Sequence, residues 1–213
     1  GLVGSEMCIR DRKITRGTIP TNPVSYYGMV DKNIGYIAIS TFAIEGCSKD
    51  IKKALIELKQ QGATSIVLDL RGNGGGLLSE AVNVVNFFVP KGKEIVVTKG
   101  KIKQAGSTYK TSNEPIDMEI PLTVLVDGAT ASAAEIVSGS LQDLDRAVIV
   151  GNRTYGKGLV QVPRELPYNS SMKVTTAKYY IPSGRCIQAI DYAKRNADGS
   201  VARIPDSLTT VFH

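Results

Sequence analysis

Ser65-Ile-Val-Leu-Asp-Leu-Arg-Gly-Asn-Gly-Gly-Gly76 is a short apolar run, rich in β-branched residues, that breaks into a glycine loop. A continuous apolar run of this length, rather than an alternating one, fits a strand covered on both faces. Leu77 to Val89 then reads as a helix ended by Pro90. The same order returns further on: Leu122–Asp127 is a second buried strand, Gly128 a turn, and Ala131–Leu144 a helix rich in Ala and other small residues. Strand, tight turn and helix in alternation place the chain in the α/β class with a substantially parallel sheet.

Outward from this centre the pattern continues. Ile34–Ser40 reads as a strand. Ser48 is expected to cap a helix through Gln61, with Ile51, Ala54, Leu55 and Leu58 on one apolar face and Gly62 as its stop. Downstream, Lys93–Thr98 is a strand followed by a polar stretch suited to a hairpin, and Ala147–Val150, Leu159–Leu166 and Met172–Ile181 are further strands. Residues 185–213 show little periodicity, although Ile204, Leu208, Val211 and Phe212 keep the segment apolar in places. Residues 2–12 resemble the translation of a sequencing adapter, so residues 1–12 are set aside as non-native.

The composition is that of a folded domain: 213 residues, 42% hydrophobic and 22% charged. No apolar run approaches a bilayer-spanning length, and no signal-peptide pattern opens the chain. The net charge of +6 is uneven, with 17 basic and 16 acidic residues in 1–150 against 9 and 4 in 151–213. Without Trp, an aromatic RNA-binding motif or a dense Lys/Arg run, this excess reads as a solvated basic face rather than a nucleic-acid site. It also suits acidic peptide ends, including C-terminal carboxylates. Cys8, Cys47 and Cys186 have no C-x-x-C spacing, which leaves neither a zinc site nor a redox motif, and three cysteines make no disulfide framework.

The only histidine is His213, the last residue, so a Ser-His-Asp relay cannot form inside the fold. A nucleophilic serine would have to pass its proton to a lysine. Ser132, in Gly128-Ala-Thr-Ala-Ser-Ala-Ala-Glu135, lies at a strand-to-helix turn, where helix N–H groups are unpaired and small neighbours admit a peptide backbone. Taken alone, helix capping is the commoner use of such a serine. Lys157, in Thr154-Tyr-Gly-Lys-Gly-Leu-Val-Gln161, changes the balance. A lysine acting as base near neutrality needs its pKa lowered from ~10.4 to roughly 7–8, which burial between Gly156 and Gly158 would favour. Solvated turn lysines are nonetheless commoner. Gln161 can orient an amine without restoring its charge. Glu135, one helical turn past Ser132, can reach the same site or complement the helix N-terminus. Backbone N–H groups of Gly75 or Gly76, with Ala133, are candidates to hold an oxyanion. Gly151–Lys157 also matches the first seven positions of a phosphate loop. Gly158 replaces the Mg²⁺-binding Ser/Thr, however, and a strand follows where a helix is required, which disfavours a nucleotide site.

Five stretches together resemble the C-terminal processing peptidases, or tail-specific proteases, of serine peptidase family S41: Gly35–Phe42, Leu68–Gly76, Thr130–Glu135, Thr154–Gln161 and Tyr180–Arg185. They follow family order and cover most of residues 13–213. The resemblance implies an α/β core with a crotonase/Clp-protease-like sheet and flanking helices. It implies Ser132 as the acylated nucleophile, Lys157 as general base and acid, Gln161 as the orienting residue, and backbone amides of Gly75 and Ala133 as the oxyanion hole, with Glu135 and Gly76 in support. It further implies a serine endopeptidase that cuts proteins at or near unstructured C-terminal tails, outside the bacterial cytoplasm in the cell envelope, with no metal or cofactor and with polypeptides as partners. Membrane association would come only through N-terminal parts. The chain departs from the family pattern where Thr130 and Cys186 stand in place of a common Ser. Lys13–Pro20 resembles only the last strand of the PDZ domain that normally precedes the core, so residues 21–213 are expected to be a catalytic core truncated at its C-terminus. The competing class is a ligand- or peptide-binding module on the same fold, such as the retinoid-binding proteins of the eye; intact Ser132, Lys157 and Gln161 speak against it.

Overall fold

The computed structural model describes residues 15, 17, 21–101 and 106–203. The adapter-like segment 1–12, nearly all of Lys13–Pro20 and the apolar tail from Ile204 lie outside the described residues. The main sheet has five strands in the order β1-β2-β3-β6-β7. They are β1 (Val24–Asp31), β2 (Ile34–Ile39), β3 (Ser65–Asp69), β6 (Leu122–Val126) and β7 (Val148–Gly151). β2, β3, β6 and β7 run parallel, and β1 joins antiparallel to β2 at the edge. A second, antiparallel sheet has the order β5-β4-β9-β8, from β4 (Glu94–Gly100), β5 (Ser107–Lys110), β8 (Leu159–Leu166) and β9 (Ser170–Tyr180). β10 (Ile190–Arg195) and β11 (Val201–Arg203) form a small ribbon.

Three helices supply the rest of the core. α1 (Cys47–Gln60) buries Ile51, Ala54, Leu55 and Leu58, the face its apolar spacing predicts. Its start differs from the expectation: Ser48 does not cap it, because Glu80 of the next helix, α2 (Leu78–Asn86), reaches across to accept the Gly46 and Ser48 N–H groups at 2.9 and 2.8 Å. A buried carboxylate thus does the work of a local cap. α2 (Leu78–Asn86) buries Ala81, Val84 and Val85. It ends before Pro90, where Asn86 turns its side chain to Val89 O and Asn113 O and accepts the Asn113 N–H. α3 (Ala133–Asp143) is nearly all buried, and its small residues admit close packing against α2. Arg185, in the fifth family-like stretch, binds Gln142 and Asp143 at the far end of α3, a structural rather than chemical task.

β1, β10 and β11 are the strands that the periodicity reading missed. β1 is an edge strand with Tyr26, Tyr27 and Val30 exposed, and the β10–β11 ribbon pairs only with itself, so burial imposes no clean alternation on any of them.

The consequence for the site is topological. β3, β6 and β7 are adjacent parallel strands, so the segments leaving their carboxyl ends emerge together. Those segments are the glycine loop 71–76, the turn 127–132 and the loop 152–158. They carry the oxyanion candidates, Ser132 and Lys157, respectively.

Candidate active site

Asp127 organises the first two of these segments. Its carboxylate accepts the N–H groups of Gly72, Ala129 and Thr130, each at 3.0 Å. Burial alone would raise its pKa, but these bonds and the Thr130 hydroxyl hold it below the ordinary carboxylate value. Thr130 Oγ1 donates to Leu70 O at 2.9 Å, and the Ala131 N–H donates to Asn73 O at 2.9 Å, which stitches the turn to the glycine loop. Asn73 is fully buried and donates from Nδ2 to Ile39 O at 2.8 Å. Sequence reasoning singled out neither Asp127 nor Asn73, although a polar residue inside a glycine loop and another at a strand end were the available signals.

Ser132 is the N-cap of α3 and is half-buried. Its backbone has φ 57° and ψ −118°, a conformation sparsely populated by non-glycine residues that costs about 1–3 kcal/mol. A serine on such a strained strand-to-helix turn is the arrangement of a nucleophile elbow, which pushes the hydroxyl out of the turn. Gly75 lies directly against it: a Cβ there would fall 2.6 Å from Ala131 O and 2.8 Å from Ser132 Cβ, and φ is +93°. Only glycine permits this approach. The Gly75 N–H, expected to face an oxyanion, is donated to Asn73 Oδ1 at 2.8 Å. Among the described residues the N–H groups of Gly76 and Ala133 have no acceptor, which leaves both available to donate.

Glu135 joins serine and lysine. Its residue surface is 1% exposed, and its carboxylate accepts four hydrogen bonds. Oε2 takes the N–H groups of Ser132 and Lys157, both at 2.8 Å, while Oε1 takes the Gly156 N–H at 2.6 Å and the Thr154 hydroxyl at 2.7 Å. Burial pushes its pKa up, with the bonds from Thr154, Lys157, Ser132 and Gly156 pulling the other way. On its other side the lysine loop is pinned by Gln188, whose Oε1 accepts the Gly158 N–H at 2.8 Å, and by the Ala189 N–H, which donates to Gly156 O at 2.9 Å. Thr154, Gln188 and Ala189 were not singled out from sequence, since only tertiary packing brings them here.

The side chains are less converged than the backbone. Lys157 is exposed rather than desolvated, which corrects the expectation that its flanking glycines would bury the amine. Among the described residues no hydrogen bond joins the Lys157 amine to the Ser132 hydroxyl, or Gln161 to Lys157. Gln161 is exposed on β8 at a register irregularity opposite Thr175, and its Nε2 lies 3.5 Å from Thr175 Oγ1. Such irregularities re-aim side chains next to sites. The residue after Gly158 opens strand β8, not a helix, so the phosphate-loop geometry is absent. No group of three or more His, Cys, Asp or Glu gathers among the described residues to hold a metal.

Comparison with known proteins places this arrangement. The model of peptidase family S41 matches residues 33–193. The carboxyl-terminal-processing protease of a Picosynechococcus species is 41% identical over 177 residues, covering 82% of this chain and 42% of that protein. The chloroplastic C-terminal processing peptidase of Tetradesmus obliquus is 32% identical, covering 97% of this chain and 46% of its own length. Among solved structures, the photosystem II D1 C-terminal processing protease superposes with a TM-score of 0.70 at 34% identity, over 82% of this chain and 47% of that one. Mature CPAF, at 15% identity and a TM-score of 0.61 over 85% of this chain and 54% of its own, shares the fold. The chain spans less than half the length of the curated relatives named here. With the family model spanning most of its residues and Ser132, Glu135 and Lys157 gathered beyond the carboxyl ends of the adjacent strands β6 and β7, this chain belongs to peptidase family S41.

Proposed function

We propose that this chain carries the catalytic centre of a Ser-Lys serine endopeptidase that cleaves polypeptides at or near unstructured C-terminal tails. One observation carries the reading: a single buried oxygen, Glu135 Oε2, accepts the N–H of both Ser132 and Lys157, holding the nucleophile turn and the base loop together. In this reading the Ser132 hydroxyl attacks the scissile carbonyl and passes its proton to a neutral Lys157 amine. The N–H groups of Gly76 and Ala133 receive the oxyanion. Lys157 then returns the proton to the leaving amine, and water hydrolyses the acyl-enzyme by the same route. Gln161 orients the amine. Lys157 is exposed, open to a polypeptide laid over the site.

An extended substrate adding to a sheet edge would be held by its backbone, which suits loose sequence preference. The relatives' names support processing of carboxyl termini, whereas a setting in the bacterial cell envelope rests on the family resemblance alone, one of these relatives being chloroplastic. No helix among the described residues is long and apolar enough to cross a membrane.

Ser132→Ala and Lys157→Ala are each expected to abolish cleavage of an unfolded reporter protein. Cleavage retained by either variant would overturn the assignment. The exposed Lys157, its amine unbonded to the serine, favours one rival, a binding module without chemistry. A serine-directed acylating probe separates the two: an adduct on Ser132 supports the peptidase, and none in the folded protein supports the binder.

A further inference from the structure

Next to this site, β4, β5, β8 and β9 line a groove of about 960 Å³. It begins close to the chemistry: Leu159 in its wall follows Lys157 by two residues, and Leu78 follows Gly76 by two. Part of its lining comes from cross-strand pairs of β8 and β9, Val160 with Ala177 and Val162 with Val174. Four charged residues line it, Lys99, Lys101, Arg164 and Lys178, and no carboxylate does.

The placing of these cations is unfavourable in the protein alone. Lys99 and Lys178 are direct partners in the β4–β9 register. Like charges directly opposite one another weaken a sheet. Among the described residues none of the four cations is paired with a carboxylate; Lys99 instead lies over the Tyr180 ring at 4.7 Å. The groove therefore concentrates positive charge around an apolar surface with no carboxylate in its lining.

We propose that this groove is a selectivity site for an acidic stretch of an extended polypeptide, whose Asp and Glu side chains pair with Lys99, Lys101, Arg164 and Lys178 while its apolar side chains lie on the Val162–Val174 surface. The alternation of strand side chains sets the spacing: acidic residues recurring every second position share one side of the strand, and the apolar residues between them share the other. The role as substrate selection rests on the peptidase reading; the binding itself does not.

The test uses the whole chain carrying Ser132→Ala, so that binding is read without cleavage. Fluorescence anisotropy follows a labelled, C-terminally amidated peptide of alternating Val and Glu, its Val/Gln counterpart, and the Val/Gln peptide with a free C-terminal carboxylate. The acidic peptide is expected to bind at least about tenfold more tightly than either neutral one, with an advantage that shrinks as salt is raised. Lys99→Glu with Lys178→Glu is expected to remove that advantage and to transfer it to a Val/Lys peptide, while circular dichroism stays unchanged. Should the double variant misfold, Lys99→Gln with Lys178→Gln gives the same comparison and is expected to abolish the advantage without transferring it. Equal affinity for acidic and neutral peptides, or a preference untouched by these variants, would overturn the proposal. So would acid-independent binding of the free carboxyl end, or capture by phosphatidylglycerol vesicles in preference to the acidic peptide. Absence of turnover by the unsubstituted chain, with acidic binding intact, would fault the peptidase reading and spare this one.

Discussion

Glu135 shows how a single residue can carry the geometry of a site without touching a substrate. Its four acceptor contacts require an oxygen at every position, and they tie the backbone of Ser132 to that of Lys157. Glu135→Gln puts an NH₂ group against backbone N–H donors on one side, leaving donors facing donors in a buried space. The expected result is a loss of about a hundredfold in kcat, with KM nearly unchanged, since small misplacements of reacting groups cost about that much. Steady-state hydrolysis of an unfolded reporter by a variant with unchanged circular dichroism checks it. A fall confined to KM would instead place Glu135 in substrate binding. Of the residues legible in the sequence, Ser132, Glu135 and Lys157 could be named by chemical type and spacing. The direction of the Gly75 N–H could not be read there, because it depends on the Asn73 side chain.

At the scale of elements, the glycine loop and the Ser132 turn are one unit made from two strand ends. Gly75 is the point of contact, and a methyl group there meets backbone on two sides, Ala131 O at 2.6 Å and Ala133 N at 2.8 Å. Gly75→Ala is expected to destabilise the fold by about 1–3 kcal/mol in urea unfolding, from the positive φ alone. It should also lower cleavage beyond what stability explains, because the displaced atoms carry Ser132. Unchanged urea midpoint and unchanged activity would show that the loop accommodates the methyl group elsewhere. The elements themselves were mostly legible. Buried strands β3 and β6 and the apolar face of α1 follow from residue patterns, since burial on a helix or strand imposes its period. The early end of α2 was not, because Asn86 ends it through bonds to Val89 and Asn113.

The whole molecule carries its charge balance into its acid stability. Asp69, Glu80, Asp117 and Asp127 are all held below their ordinary pKa values. In each, burial opposes the shift and hydrogen bonds outweigh it, from Arg71 and Tyr36 for Asp69 and from Lys59 for Asp117. Depressed carboxylates contribute stability that is present above their unfolded values and lost as pH falls through the folded ones. Glu135 acts in the opposite sense, since burial raises it and the cost of its charge diminishes on acidification. With these depressed carboxylates outnumbering Glu135, the thermal midpoint is expected to hold between about pH 5 and 7 and to fall steeply below about pH 4. Thermal unfolding followed by circular dichroism across that range checks this, and a midpoint that rises on acidification would contradict it.

Periodicity, glycine placement and the confinement of histidine to position 213 were enough to settle an α/β chain and to name serine and lysine as the chemical pair. These are local matters, decided by which side chains can lie in a strand, a helix or a turn. The meeting of Ser132 with Lys157 through Glu135, the donation of the Gly75 N–H to Asn73, the exposure of the Lys157 amine and the facing of Lys99 with Lys178 belong to the tertiary structure. They depend on strand order and register, which join residues distant in the chain, and no local pattern encodes the direction in which a particular N–H or amine will point once those strands are paired.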